Sequence, residues 1–250
     1  MKLILSLTSI PTRFDKLPFL LDNLKQQTIA DEIWVNIPKK YKRFPEWDGV
    51  FPFTDLGSKV IINRECDDWG PGTQAMGPIA HTDAEIIVYV NDDTLYDPKM
   101  NENLLKWFNL DQRSAWGLSG FDFENYFKRY PLRTHGQPLD VLESYGAVIA
   151  RVEWLKTIFP EFLELSEVTW NDDLLISNLF EKHGITRKTV YTPECNLGQL
   201  KQLQYGFEAD ALHHLAAAES GTPELSHLNN NIKILKAFQD KGKNYYNYKV

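Results

Sequence analysis

The strongest constraint on this chain is a repeating order: a short apolar run, a helix-length segment, then another apolar run. Residues 2–7 (KLILSL), 32–37 (EIWVNI), 59–63 (KVIIN) and 85–90 (EIIVYV) are rich in Leu, Ile and Val and read as buried strands. Between the first two lies a helix pattern from Asp15, with Leu17, Leu20, Leu21 and Leu24 on one face. The Gly/Pro-rich turn DWGPGTQ leads into a short helix through Met76 and Ile79, and a further helix is expected over 98–108. Strands spaced this way build βαβ units. The expected fold is therefore α/β, a mostly parallel sheet flanked by helices on both faces.

The second half is less periodic. Residues 115–120 are expected as a fifth strand and 121–138 as an aromatic and basic excursion or hairpin. Residues 145–151 (YGAVIAR) return to strand. A helix opens at Asn171-Asp172-Asp173, any of which can cap it, and Gly184 stops it. TRKTVYT is expected as the last strand. From Phe207 the chain reads as a C-terminal helical appendage whose tail, KGKNYYNYKV, is expected to be solvated.

A chain of 250 residues can bury one large core, and 43% hydrophobic with 24% charged residues is ordinary for a soluble domain. A net charge of -7 argues against a nucleic-acid-binding surface, so a polyanionic ligand needs a local basic patch or a metal ion. The opening MKLILSLTSIPTR is broken by Ser6, Thr8 and Ser9 and stopped by Pro11 and Arg13. It is too short for a secretory core or a bilayer span, and nothing else approaches a span, so a cytoplasmic protein is expected. Cys66 and Cys195 read as free thiols of a reducing compartment.

Chemistry concentrates where the fourth strand ends, in Asn91-Asp92-Asp93. Ligands of open α/β sheets bind outside the carboxyl ends of the strands. Adjacent carboxylates there repel, and a divalent cation relieves the repulsion. Hard oxygen ligands suit Mg²⁺ or Mn²⁺, which typically bridge to phosphates.

These residues, in their order along the chain, resemble GT-A glycosyltransferases that use nucleotide sugars. The likeness spans roughly residues 3–190. It includes Ser9-Ile10-Pro11-Thr12-Arg13 and Asp68-Trp69-Gly70-Pro71, similar to small glycosyltransferases of large DNA viruses and of bacterial surface-polysaccharide loci. The resemblance implies one domain over 1–250: a nucleotide-binding half (1–120), an acceptor and catalytic half (121–206) and a helical tail (207–250). It implies that Asp93 and Asp92 bind Mn²⁺ or Mg²⁺, with Asn91 in place of the first aspartate of an Asp-any-Asp motif. Leu7, Thr8, Ser9 and Arg13 are expected around the nucleotide and its phosphates. Asp67 or Asp68 and Trp69 are expected at the base, and Asn91, Asp92, Tyr145 and Gly146 along the ribose, β-phosphate and sugar. Asp172, or else Asp173, is expected as the base of an inverting transfer to a glycan acceptor. One of His213 and His214 is a further candidate metal ligand, and Phe127, Lys128, Arg129, Tyr130 and Arg133 a candidate acceptor loop. Two other functions fit the same fold, a nucleotide-sugar-forming nucleotidyltransferase and a non-catalytic carbohydrate or nucleotide-binding module. The first is disfavoured because LTSIPTR lacks the glycines of a phosphate loop.

Overall fold

A computed structural model describes residues 1–122, 134–204 and 223–246. Its strands in chain order are β1 (Leu3–Thr8), β2 (Glu32–Asn36), β3 (Val60–Asn63), β4 (Ile86–Tyr89), β5 (Thr94–Leu95), β6 (Ser114–Gly117), β7 (Gly120–Phe121), β8 (Val141–Leu142), β9 (Val148–Arg151), β10 (Thr186–Thr189) and β11 (Lys201–Gln202). The helices are α1 (Leu17–Leu24), α2 (Thr73–Met76), α3 (Met100–Leu110), α4 (Val152–Ser166), α5 (Asp172–Lys182) and α6 (Pro223–Asp240).

Seven strands form the central sheet in the order β10-β6-β9-β4-β1-β2-β3. All run parallel except β9, which is antiparallel to both of its neighbours. Alternation along each strand sorts side chains to two faces. Leu3, Leu5 and Leu7 of β1, with Ile86 and Val88 of β4, meet α1 and α3 through Leu17, Leu21, Leu104 and Phe108. Ile4, Ile87 and Tyr89 face the other way, toward Met76, Leu155, Phe162, Leu174 and Phe238 of α2, α4, α5 and α6. No described helix is long and apolar enough to cross a membrane.

Several local expectations change. Residues 115–120 are not one strand: β6 ends at Gly117, and β7 pairs with β8 in a separate two-stranded sheet. Residues 145–151 open as a 3-10 turn, Ser144–Gly146, before β9 begins. TRKTVYT is not the last strand, because β11 follows it and pairs with β5. Helix α4 had no counterpart in the sequence reading, since Pro160 interrupts its period and it follows β9 without a break. Part of the tail is packed rather than solvated: Tyr246 is buried and its hydroxyl donates to the Leu174 carbonyl at 3.1 Å, while Asn178 Nδ2 donates to the Lys243 carbonyl at 2.9 Å; residues 247–250 lie outside the described residues. Residues 207–222, including His213 and His214, and the stretch 127–133 with the candidate acceptor loop lie outside the described residues.

Residues 37–59 carry a small aromatic cluster. Phe14 packs edge-on to Phe51 (centroids 4.9 Å) and Trp47 (5.7 Å), and Tyr41 packs on Trp47 (5.2 Å). The cluster holds the loop after β2 against the loop after β1. On the opposite face α2 lies tight on the sheet: a Cβ on Gly77 would stand 2.6 Å from Asn36 Cγ and 2.7 Å from the Thr73 carbonyl. Gly77→Ala is expected to cost about 1–3 kcal/mol through this overpacking. A lowered urea midpoint with an unchanged m-value checks it.

Candidate active site

The loops at the carboxyl ends of β1 to β4 are tied into one edge. Ser9 Oγ donates to Asp92 Oδ2 at 2.6 Å, and Arg13 Nη1 donates to Asp92 Oδ1 at 2.8 Å and stands 3.5 Å from Asp93 Oδ2. The Tyr41 hydroxyl donates to the Ser9 carbonyl at 2.6 Å. The backbone N–H of Lys42 then donates to Asp68 Oδ2 at 2.7 Å, while Asp68 Oδ1 accepts from the Gly70 N–H at 3.0 Å. Sequence reasoning placed Arg13 at phosphate; here it is buried, with its guanidinium on the acidic pair. Leu7 is buried in the core with its carbonyl accepting from Asn36 Nδ2, and Thr8 Oγ1 donates to the Asn36 carbonyl. Trp69 packs edge-on to Phe159 and Phe162 of α4, at 5.3 and 6.3 Å.

The acidic loop is held from its own far side. The Tyr96 hydroxyl accepts from the Asn91 N–H at 3.1 Å and donates to the Tyr145 carbonyl at 3.3 Å. Leu203, just beyond β11, donates its N–H to the Asp93 carbonyl at 2.7 Å. The Ser144–Gly146 turn carries Tyr145 and Gly146 and leads to Ala147, the only non-glycine residue at positive φ among those described (φ 58°). Gly146 packs so closely that a Cβ there would lie 2.5 Å from the Ser119 nitrogen. Ala147 strain, of order 1–3 kcal/mol, is thus held by tight packing next door.

The second acidic pair begins α5. Asn171 is the helix cap, its Oδ1 accepting from the Leu174 N–H at 3.1 Å, and its amide donates to Asn231 Oδ1 of α6 at 2.9 Å. Asp172 and Asp173 follow in the first turn, where the Asp172 carboxyl also meets backbone N–H groups of that turn. Asp172 is buried against Gly72 and accepts from Gln74 Nε2 at 3.0 Å. Asp173 Oδ1 accepts from the Ser144 N–H at 2.8 Å, so the turn that holds Tyr145 is pinned to this helix. Both pairs flank β4: the charges of Asp173 and Asp172 help push the buried Tyr89 phenol up, and Asp92 and Asp93 follow three residues later.

The two pairs are compensated differently. Burial, then the Asp92 charge, pushes the Asp93 carboxyl up to about 6 against the pull of Arg13. Asp92 and Asp93 stand together at the end of β4 on the Arg13 guanidinium, as adjacent hard oxygen donors. That fits a hard divalent cation, which takes one or two protein carboxylates and completes its shell with water and phosphate oxygens. Among the described residues no group of three or more His, Cys, Asp or Glu could hold a metal. Asp172 is raised well above the usual carboxylate range by burial and by Asp173, with Gln74 acting the other way, and burial carries Asp173 to about 6.

No protein-family model matches the chain, and neither does any curated protein sequence. Solved structures do match its fold. TarS 1-349 of S. aureus, in complex with UDP, superposes with a TM-score of 0.51 over 94% of this chain and 70% of that one, at 11% identity. The mannosyltransferase PcManGT of Pyrobaculum calidifontis, in complex with GDP-Man and Mn²⁺, gives 0.51 over 96% and 75%, at 15% identity. The fold is that of GT-A-like glycosyltransferases. The identities are too low for the likeness to carry more than the fold.

Tyr96, Gln74 and Ser144, which hold the acidic residues, were not singled out from sequence. A lone Gln in the otherwise small and apolar TQAM, next to glycines, was the one available signal for Gln74. Tyr96→Phe keeps the ring and strands the Asn91 N–H and the Tyr145 carbonyl. A loss of about 1–3 kcal/mol is expected, read from urea unfolding.

Proposed function

We propose that the protein is a nucleotide-sugar glycosyltransferase that inverts configuration at the transferred sugar, with a hydroxyl of a glycan or glycoconjugate as acceptor. The observation that carries this reading is Asp172: a buried carboxyl at a helix N-terminus, beside the Asn171 cap and held by a neutral amide, acting on Tyr89 at the end of the strand that Asp92–Asp93 follow. A proton acceptor works best when its pKa lies near the working pH, and burial moves Asp172 in that direction.

In the transfer, Asp172 takes the proton of the acceptor hydroxyl as its oxygen attacks the anomeric carbon. The bond to the nucleoside diphosphate breaks on the opposite face. Asp173 holds the Ser144–Gly146 turn beside the donor sugar, and Asp68 with the Lys42 and Gly70 backbone orders the loops beside the base. Asp92 and Asp93 would hold a Mn²⁺ or Mg²⁺ ion, which when bound supplies positive charge for the leaving diphosphate. The fold likeness to proteins bound to UDP and to GDP-Man with Mn²⁺ supports a donor of this class. Two buried free thiols, Cys66 and Cys195, support a reducing, cytoplasmic setting.

Calorimetry with UDP and GDP, with and without Mn²⁺, tests the reading. Metal-dependent binding of at least one is expected, and binding of neither sinks it. Asp172→Asn is expected to lower transfer by 10²-fold or more with donor binding retained. Its thermal midpoint at pH 8 is expected to equal or exceed the parent's. A carboxyl whose folded-state pKa is raised contributes stability at low pH and loses it as pH rises through that pKa, so neutral Asn is spared the loss. Asp173→Asn removes a charge that raises Asp172, so the acid limb of kcat is expected to move to lower pH.

A further inference from the structure

We propose that Gln74 is the positioning residue of the base, turned toward Asp172 by a buried polar ladder, Asn63–Asn36–Ser6, that runs across three parallel strands. The proposal rests on reading Asp172 as the base.

Helix α2 has four residues, too few to be stable alone, so its placement is imposed from outside. The ladder imposes it. Asn63 Nδ2, at the end of β3, donates to Asn36 Oδ1 at 2.8 Å and to the Gly77 carbonyl at 2.9 Å. Asn36 Nδ2, at the end of β2, donates to Ser6 Oγ and to the Leu7 carbonyl, both at 2.9 Å. Ser6 Oγ on β1 donates to the Gln74 carbonyl. The two carbonyls gripped are those of Gln74, inside α2, and Gly77, its C-cap.

Ser6 and Asn36 are fully buried and Asn63 nearly so, in a sheet otherwise lined with Leu, Ile and Val. Apolar side chains would pack α2 as firmly at less desolvation cost. What they cannot do is fix the rotation of so short a helix about its axis. Hydrogen bonds at two carbonyls do fix it, and the fixed rotation aims the Gln74 amide at Asp172 Oδ2, 3.0 Å away. The amide donates without bringing a charge, so it favours the ionised carboxylate and orients it while leaving it able to take a proton.

Among the described residues, the titratable groups acting on Asp172 are Asp173 on its own helix and the Tyr89 phenol on β4. α2 brings only Thr73, Gln74, Ala75 and Met76, the Gly70–Gly72 turn brings no charge, and α4 presents Phe162 there. Glu143, beside the turn that holds Asp173, accepts from Ser119 Oγ. Gln74 is thus the neutral side-chain donor that these neighbours leave to set the state of Asp172.

The test is the pH profile of kcat with donor and acceptor saturating, alongside donor KM and the thermal midpoint. Gln74→Met removes the donor at similar volume. The acid limb is expected to rise by about one pH unit, and kcat below it to fall about 10-fold, with donor KM unchanged. The isosteric Gln74→Glu places a second carboxyl on Asp172, and its limb is expected to rise further. Should the methionine variant not fold, the glutamate variant decides alone. Limbs unmoved in the folded variants overturn the role of Gln74. If Asp172→Asn is inactive in the same assay, the base itself survives that result. Near-parental transfer by Asp172→Asn overturns the base and this proposal together.

Discussion

The contact between Arg13 and the acids that end β4 organises this edge of the molecule. Charges are expensive to bury, and Arg13, Asp92 and Asp93 are all largely shielded from water. Their mutual attraction draws the loop after β1 onto the loop after β4, and Ser9 adds a further bond to Asp92. Tyr41 then holds Ser9, and Lys42 holds Asp68, so the loops after β2 and β3 follow. The aromatic cluster around Phe14 packs behind this line and fixes the backbone from which Arg13 extends. A parallel sheet brings four loops to one edge, and this ion pair with its two tyrosine and aspartate links makes them one surface.

The acidic pairs on either side of β4 solve the same electrostatic problem by different means. At Asp92–Asp93 the described partner is a cation, Arg13. At Asp172–Asp173 the partners are a neutral amide and a backbone N–H, at the positive end of a helix. A pair of adjacent, shielded carboxylates is suited to a hard cation. A pair held by neutral donors is suited to exchange a proton. Environments that treat like groups so differently are how one site divides acid–base work from charge stabilisation, and this division is the physical core of the transferase reading.

The sheet was legible because its signals are local. The runs at 2–7, 32–37, 59–63 and 85–90 are apolar enough that almost any packing makes them strands, and their spacing forces parallel pairing. Helix α4 was not legible, because Pro160 sits inside it and its stability comes from Leu155, Ile158 and Phe162 packing on α5 and the sheet. The tail was misread for a related reason: Lys, Asn and Tyr look solvated in sequence, yet Tyr246 finds the Leu174 carbonyl at long range. In the site, the acidic residues could be named because charge at a strand or helix end is conspicuous. Their supports could not. Tyr96 acts through a hydroxyl that meets two backbone groups, one of them 49 residues away, and Gln74 meets a carboxylate 98 residues on.

Asn91 gains a physical rationale from the same accounting. It stands where the GT-A resemblance leads one to expect a first acid, yet its N–H is committed to Tyr96 and two carboxylates already follow it. A third carboxylate in this shielded site would push Asp93 further toward its protonated form. An amide at this position adds no charge. Asp93, at about 6, then stays ionised at neutral pH, the state a cation and a diphosphate require. The asparagine therefore does not weaken the proposed metal site by default; it lets two carboxylates stay charged beside Arg13 where three would begin to neutralise one another.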